Sequence, residues 1–419
     1  MLLHPELGAP LSREAKEEFK LLAKAAGLEV VAEVAANRHR ADPGTLVGSG
    51  KVDALSETRQ QHQAGLVLVN AALTPVQERN LSRRLQCPVL DRTTLILDIF
   101  AQRARSHEGK LQVELAQQKH LATRLIRGWT HLERQRGGIG MRGPGETQLE
   151  TDRRLVGERI RQLTQRLARV ERRRAQGRRS RQRAEVPMVA LVGYTNAGKS
   201  TLFNRLTDAE VLVKDQLFAT LDPTVRRLQD DAVGDILVSD TVGFVRDLPH
   251  ELVAAFRSTL EETAEADLVL HVIDGADPDR LTYQAVVEDV LDDIGAGDVP
   301  VIQVVNKADL ADRPVRVEYD LSGQVASVVV SALTGEGLDA LKEVLKTALS
   351  QGRIQRDITV PVAGQRLRAK LFDLGAVKAE RFQPDGASVL SIELDKRDVQ
   401  RLQRLGGLDG QMAEQLLLN

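Results

Sequence analysis

Val189-Ala-Leu-Val-Gly-Tyr-Thr-Asn-Ala-Gly-Lys-Ser200 decides the fold of the middle of this chain. Four consecutive apolar residues read as a buried strand. They run into G-x-x-x-x-G-K-S at Gly193, Tyr194, Thr195, Asn196, Ala197, Gly198, Lys199 and Ser200, with Thr201 already in a helical pattern. The glycines permit a tight loop whose backbone N–H groups point inward, and the following helix turns the positive end of its dipole toward the same point. Such a loop cradles phosphate oxygens. Lys199 is expected to reach the β- and γ-phosphates of a nucleotide, and the Ser200 hydroxyl to ligate Mg²⁺. Strand and helix patterns alternate onward, which implies an α/β domain with a mostly parallel sheet over 186–352.

Two later loops identify the base. The apolar run 299–305 ends in Asn306, Lys307, Ala308 and Asp309, and the run 328–330 ends in Ser331, Ala332 and Leu333, the order expected of guanine-reading loops. A carboxylate at Asp309 accepts from both N1–H and the exocyclic amine of guanine, whereas adenine offers no donor there, so ATP leaves the carboxylate unpaired. A small-molecule kinase is excluded on the same ground. Asp240, Thr241, Val242 and Gly243 follow a strand pattern at 235–239, which places Asp240 to hold Mg²⁺ through water and the Gly243 N–H to meet the γ-phosphate. Between these motifs lie Phe218, Ala219, Thr220, Leu221 and Asp222; Thr220 is the candidate hydroxyl for the metal, with Thr224 near enough to compete. The expected reaction is GTP hydrolysis, with Lys199, Thr220 and Gly243 as its catalytic set. After Gly243 stands Phe244, where switch GTPases commonly carry a water-orienting glutamine. Phenylalanine holds no water, so turnover should be slow until a partner or an ion supplies the missing group. Asn196 is a candidate to hold K⁺ beside the phosphates.

The chain has 419 residues and a formal charge of −1, which taken as an average argues against a polyanionic partner. The average misleads. Residues 101–185 hold 22 basic and 9 acidic side chains, leaving 36 basic and 50 acidic elsewhere, so a single segment is suited to phosphates. Its pattern is helical. Leu111, Leu115, Ala122, Ile126 and Trp129 mark one stripe; Leu149, Val156, Ile160, Leu163, Leu167 and Val170 mark another at heptad intervals. The glycine-rich stretch 136–145 between them cannot continue a helix, so an antiparallel hairpin with a basic tip is expected, followed by a polar linker from 172. Concentrated charge on a projecting element favours RNA as its partner over a merely solvated face.

Four units are therefore expected: an N-terminal α/β domain (1–104), the basic hairpin and linker (105–185), the nucleotide domain (186–352) and a small βαββα module of α+β type (353–419). In the first, helical patterns at 12–26, 52–61 and 75–85 alternate with strand patterns at 29–34, 66–69 and 88–90. The stretch 44–51 imitates a second phosphate loop, but its first glycine is one residue too far and Val52 replaces the metal-binding hydroxyl, so a turn before a helix is the better reading. Cys87 is the lone cysteine, which rules out an intramolecular disulfide. His107, His120 and His131 lack metal-ligand spacing and read as surface residues. With no apolar run near 18 residues and no signal-peptide pattern at the start, a soluble cytoplasmic monomer is expected.

The nucleotide motifs, together with Gly48-Ser-Gly-Lys51 and Gly143-Pro-Gly-Glu-Thr-Gln-Leu-Glu150, resemble those of the HflX family of translation-factor-class GTPases. The resemblance covers most of the chain and is least specific in the C-terminal module. It implies a protein that binds the large (50S) ribosomal subunit and splits stalled or idle 70S ribosomes during stress, with Arg134, Arg136 and Arg142 near the hairpin tip as rRNA contacts. It also leaves room for an ATP or RNA-phosphate contact at 44–51. A GTPase acting in ribosome assembly or RNA maturation is the alternative, and a switch with a protein effector and no RNA would leave the hairpin charge unexplained.

Overall fold

The computed structural model describes residues 1–128, 144–183, 186–207, 217–218, 224–230, 234–246, 263–311, 313–320, 322–350, 353–384, 386–395, 402 and 412–413. Its N-terminal part is a four-stranded parallel sheet in the order β2-β1-β3-β4, formed by β1 (Leu2–Leu7), β2 (Glu33–Arg38), β3 (Val67–Val69) and β4 (Val89–Asp91). Helices α1 (Arg13–Ala25), α2 (Ser49–Gln61), α3 (Pro75–Leu85) and α4 (Arg92–Arg103) connect and follow the strands. The first strand escapes a sequence reading because Pro5 argues against a central strand. Its place is explained by the ladder: Met1 and Leu3 bond toward β3, whose pairing stops at Val69, so the missing N–H of Pro5 falls past the last pair. The second strand is displaced from the expected 29–34. It is an edge strand with mostly exposed side chains, so apolar content does not mark it, and Val30 packs instead against the cluster around Phe19 and Phe100.

The hairpin segment contains α5 (His107–Gly128) and α6 (Pro144–Arg183), which pack through Leu111, Leu115, Leu163 and Leu167, flanked by Ile160 and Val170. The two stripes thus meet near the base of the pair, while Trp129 and the tip lie outside the described residues. The linker expectation is corrected: α6 runs unbroken to Arg183. Arg, Gln and Ala are strong helix formers, and a helix polar on every face carries no apolar period to announce it. Gly145, expected in the turn, lies in the first helical turn behind Pro144, a favoured start residue.

The third part is a seven-stranded sheet, β10-β11-β9-β8-β5-β7-β6. Its strands are β5 (Met188–Gly193), β6 (Thr224–Asp230), β7 (Gly234–Asp240), β8 (Leu268–Asp274), β9 (Val301–Asn306), β10 (Val317–Tyr319) and β11 (Val325–Val329). The five inner strands are parallel and the two edge strands antiparallel. Around the sheet lie α7 (Lys199–Thr207), α8 (Arg280–Asp293), the short α9 (Ala308–Ala311) and α10 (Leu338–Ser350). Fully buried Val189, Leu191, Val192, Leu270 and Val272 show why these runs read as continuous apolar stretches: both faces are covered. Last comes a three-stranded antiparallel sheet of β12 (Arg353–Val360), β14 (Ser388–Asp395) and β13 (Val377–Phe382), with α11 (Gln365–Asp373) burying Leu367 and Leu371 against it. Of the expected final helix only Leu402, Met412 and Ala413 are described, all helical. Among the described residues no helix is long and apolar enough to cross a membrane.

Candidate functional site

β5 lies at the centre of the large sheet, and the loop leaving it is shaped by glycines with little choice. Gly193 sits so close to β8 that a Cβ would collide with the Val272 carbonyl, and Gly198 (φ +93°) abuts the Asn306 amide. Asn196 adopts a left-handed conformation at φ 63°, a geometry Asn tolerates better than most side chains. Lys199 opens α7 and folds back, donating to Gly193 O at 3.0 Å and Tyr194 O at 2.7 Å. Burial pushes its pKa down to about 8, opposed by the nearby Asp240 charge. The Ser200 hydroxyl donates to Asp240 Oδ2 at 2.8 Å, and the half-buried serine and fully buried aspartate form an all-oxygen pair at the end of β7. Thr241 turns inward, donating to Leu191 O at 2.6 Å. Gly243 packs against the loop so closely that a Cβ would lie 2.9 Å from Thr195 Cγ2 and 3.1 Å from Lys199 Nζ.

The two loops at the far side of the sheet converge on the same place. Asn306, at the end of β9 and 2% exposed, donates from Nδ2 to Ala197 O at 2.9 Å and accepts at Oδ1 from the Ala332 N–H at 2.9 Å. It thereby ties the phosphate loop to the segment after β11. Lys307 pairs with Asp274 at 2.7 Å. The Asp309 carboxylate is exposed and accepts from the buried Ser331 hydroxyl at 2.6 Å; it would lose water only when covered by a base. Leu333 stands exposed, with its carbonyl accepting from Arg205.

Phe244 is withdrawn. It is 2% exposed, packed with Ala190, Val192, Val269 and Val287, while its backbone pairs with the phosphate loop: Thr195 N–H donates to Phe244 O at 2.8 Å and Phe244 N–H to Gly193 O at 3.2 Å. Of the 218–222 motif only Phe218 is described. Ala219, Thr220, Leu221 and Asp222 lie outside the described residues, as do Arg134, Arg136, Arg142 and His131. His107 is exposed, whereas His120 is half-buried beside Arg124. At 44–51 the Asp42 carboxylate accepts from the Gly44 and Thr45 N–H groups at 2.8 and 2.9 Å, a closed turn leading into α2.

What sequence reasoning missed is the contact between the N-terminal sheet and these loops. Arg103 donates to the Leu217 and Phe218 carbonyls, the latter at 2.8 Å, and the Phe218 ring meets Phe100 edge-on at 4.7 Å. Tyr194 stacks on Tyr283 with centroids 4.1 Å apart and donates its phenol proton to Glu18. Burial and the Glu18 charge raise the Tyr194 pKa well above the ordinary phenol range. One signal was available: Glu18 sits among Ala15, Phe19 and Leu22 on the apolar face of α1, where a charge demands a partner.

Known protein families match most of the chain. Residues 13–101 match the family described as "GTP-binding GTPase N-terminal", 103–181 "GTP-binding GTPase Middle Region", 188–307 "50S ribosome-binding GTPase" and 317–416 "HflX C-terminal domain". The chain is 50% identical to GTPase HflX of Escherichia coli K12 over 403 residues, covering 96% of this chain and 95% of that one. It is 45% identical to GTPase HflX of Magnetococcus marinus over 402 residues, 96% and 93% of the two chains. A solved structure described as the SsGBP and GDP complex overlaps 84% of this chain and 98% of its own at 23% identity and a TM-score of 0.47. With identity of this level over nearly the full length, and with the phosphate loop and the loops after β9 and β11 brought together at one end of the sheet, the chain belongs to the HflX family of GTP-binding, GTP-hydrolysing proteins.

Proposed function

We propose that this GTPase acts on the large ribosomal subunit and, in its GTP-bound form, dissociates stalled or idle 70S ribosomes. The observation that carries the reading is the match of 188–307 to a 50S ribosome-binding GTPase family, on a chain whose adjoining helical segment concentrates a surplus of 13 basic charges. Arg134, Arg136 and Arg142 are the proposed rRNA contacts: each guanidinium can fork onto a phosphate and stack on an exposed base. In the GTPase centre Lys199 and the loop N–H groups of 193–201 hold the phosphates, Gly243 meets the γ-phosphate, and Asn306, Lys307, Asp309 and 331–333 read guanine. Ser200 and, through water, Asp240 would hold Mg²⁺, whose hard-oxygen preference their paired hydroxyl and carboxylate suit; the ion neutralises phosphate charge. Thr220 is proposed to complete that shell. Phe244, turned into the core, orients no water, so hydrolysis is slow in isolation and accelerates on the large subunit. K⁺ beside Asn196 would supply part of the missing positive charge, and equal rates in KCl and NaCl at matched ionic strength would remove that assignment.

Sucrose-gradient analysis of 70S ribosomes incubated with the protein and a non-hydrolysable GTP analogue tests the function. Conversion to 50S and 30S peaks, with the protein on 50S, is the expected result. Intact 70S particles throughout, or binding confined to precursor particles, would favour a role in assembly instead. Replacing Arg136 and Arg142 by Glu should weaken 50S binding and reduce the salt slope of log affinity by about 0.7 to 0.9 per lost phosphate contact.

A further inference from the structure

The N-terminal domain reaches the nucleotide site at the backbone of the segment after Gly243. Glu18 on α1 and Arg92 at the start of α4 are 8% and 5% exposed and form an ion pair. Arg92 also donates to Asn70 Oδ1 at 3.0 Å and to the backbone carbonyl of Arg246 at 2.8 Å. The Tyr194 phenol donates to the second Glu18 oxygen and accepts from the Arg246 N–H at 2.7 Å. One carboxylate and one guanidinium of the N-terminal domain therefore fix both polar groups of the Arg246 backbone, its carbonyl directly and its N–H through a side chain of the phosphate loop.

Cohesion alone does not call for this arrangement. Val242, Val245, Leu217 and Phe218 already share one apolar cluster with Leu95, Ile99 and Phe100. A buried ion pair adds little stability over apolar side chains of similar volume. What it adds is direction: Arg92 Nε has no partner, but both terminal guanidinium nitrogens and both Glu18 oxygens are engaged, which holds the members in one arrangement. The fixed residue stands three positions after Gly243, itself packed against Thr195 and Lys199.

We infer that Glu18 and Arg92 are positioning residues of the GTPase centre, acting through Tyr194 and the Arg246 backbone to keep Gly243 beside Lys199 before a γ-phosphate arrives. The inference rests on Lys199 and Gly243 being the γ-phosphate donors proposed above. A loose segment after Gly243 would have to be ordered by GTP itself, and affinity would fall by the fraction of molecules in the competent arrangement. GDP, with no γ-phosphate to meet Gly243, pays no such cost. The network thus raises affinity for GTP relative to GDP.

Tyr194→Phe deletes one hydroxyl and leaves the Glu18–Arg92 pair in place. The double variant Glu18→Gln/Arg92→Met removes the other link, from Arg92 to the Arg246 carbonyl, without stranding a buried charge. Titration of the full-length protein with fluorescent GDP and with a fluorescent non-hydrolysable GTP analogue gives the two affinities for each. The double variant should bind the analogue about three- to tenfold more weakly, the loss of one buried hydrogen-bonded link, with GDP affinity unchanged, whereas Tyr194→Phe, which lies in the phosphate loop itself, should weaken the analogue about three- to tenfold more than it weakens GDP. The three-residue variant should lose at least as much as either, because both links to the Arg246 backbone are then broken. Equal weakening of both nucleotides, no change in either, or tighter binding of the analogue overturns the inference. Lys199→Ala separates its failure from that of the underlying reading: retained affinity for both nucleotides there discards the phosphate assignment itself, whereas lost affinity beside an unchanged ratio in the other variants discards only the positioning role.

Discussion

Asn306→Ala should uncouple the phosphate loop from the guanine-reading segment. The side chain makes two bonds of 2.9 Å, to Ala197 O and from Ala332 N–H, and both partner residues are nearly inaccessible at 2% and 1% exposure. Water cannot replace the lost amide easily, because Gly198 packs directly against it. Two buried backbone groups are then left unpaired at about 1–3 kcal/mol each, roughly 2–6 kcal/mol in all. The part of this that falls on the mutual placement of the loops must be recovered by the nucleotide, and the lower figure, about 2 kcal/mol, corresponds to a drop of about 30-fold in GDP affinity. Calorimetric titration of GDP, beside a thermal melt showing that the variant is folded, measures it. Asn306→Asp adds resolution: a carboxylate still accepts from Ala332 N–H but cannot donate to Ala197 O, so it should bind GDP no better than the alanine variant if the phosphate-loop bond dominates. A folded Asn306→Ala protein that binds GDP within about threefold of wild type would refute the reasoning, since even one net buried hydrogen bond exceeds that on the expected scale.

Asp309→Asn should lose about 2–4 kcal/mol of GTP affinity and gain binding of xanthosine nucleotides, whose 2-oxo group the amide can meet; unchanged GTP titration would remove Asp309 from the base site. Lys199, with its pKa pushed down to about 8, starts losing its proton above that pH, while bound phosphate favours the protonated form, so GDP affinity should be flat below pH 8 and fall by roughly tenfold per unit above it. His271 is buried with its pKa lowered to about 4 by burial and by Lys199, against 6.5 unfolded, so the unfolded chain takes up the proton first as pH falls. Stability should therefore drop by up to about 3 kcal/mol between pH 6.5 and 4, and a denaturant series in which His271→Gln shows the same slope would count against the assignment.

The nucleotide loops were legible because each is a short local pattern whose chemistry fixes both residue type and spacing. A glycine that must meet the Val272 carbonyl, or an asparagine that must bridge two backbones, has few substitutes. The contact between domains was not legible, for a physical reason. Periodicity says that Phe19 and Phe100 are buried but not against what, and nothing local to Arg92 or Arg103 says that their partners lie 154 and 115 residues away at Arg246 and Phe218. The first strand was hidden by Pro5, whose harmlessness depends on where a neighbouring strand ends. The far half of α6 was hidden by having no apolar face, so only propensity favoured a helix there.

That helix has a mechanical consequence. Pro144–Arg183 is 40 residues long, and β5 begins at Met188, just past its end. At 1.5 Å per residue the shaft measures about 60 Å. Its hydrophobic clamp to α5, between Ile160 and Val170, acts as a fulcrum near the middle, with arms of about 24 Å toward Pro144 and about 20 Å toward Arg183. A rotation of about 5° about this clamp displaces each end by about 2 to 3 Å in opposite directions, so a small rearrangement at the sheet end reappears at a similar size at the other extremity. Coupling of this kind works in both directions: a load applied at Pro144 is delivered, reversed in sense and nearly unchanged in force and travel, to the end of the shaft that adjoins the strand from which the phosphate loop springs.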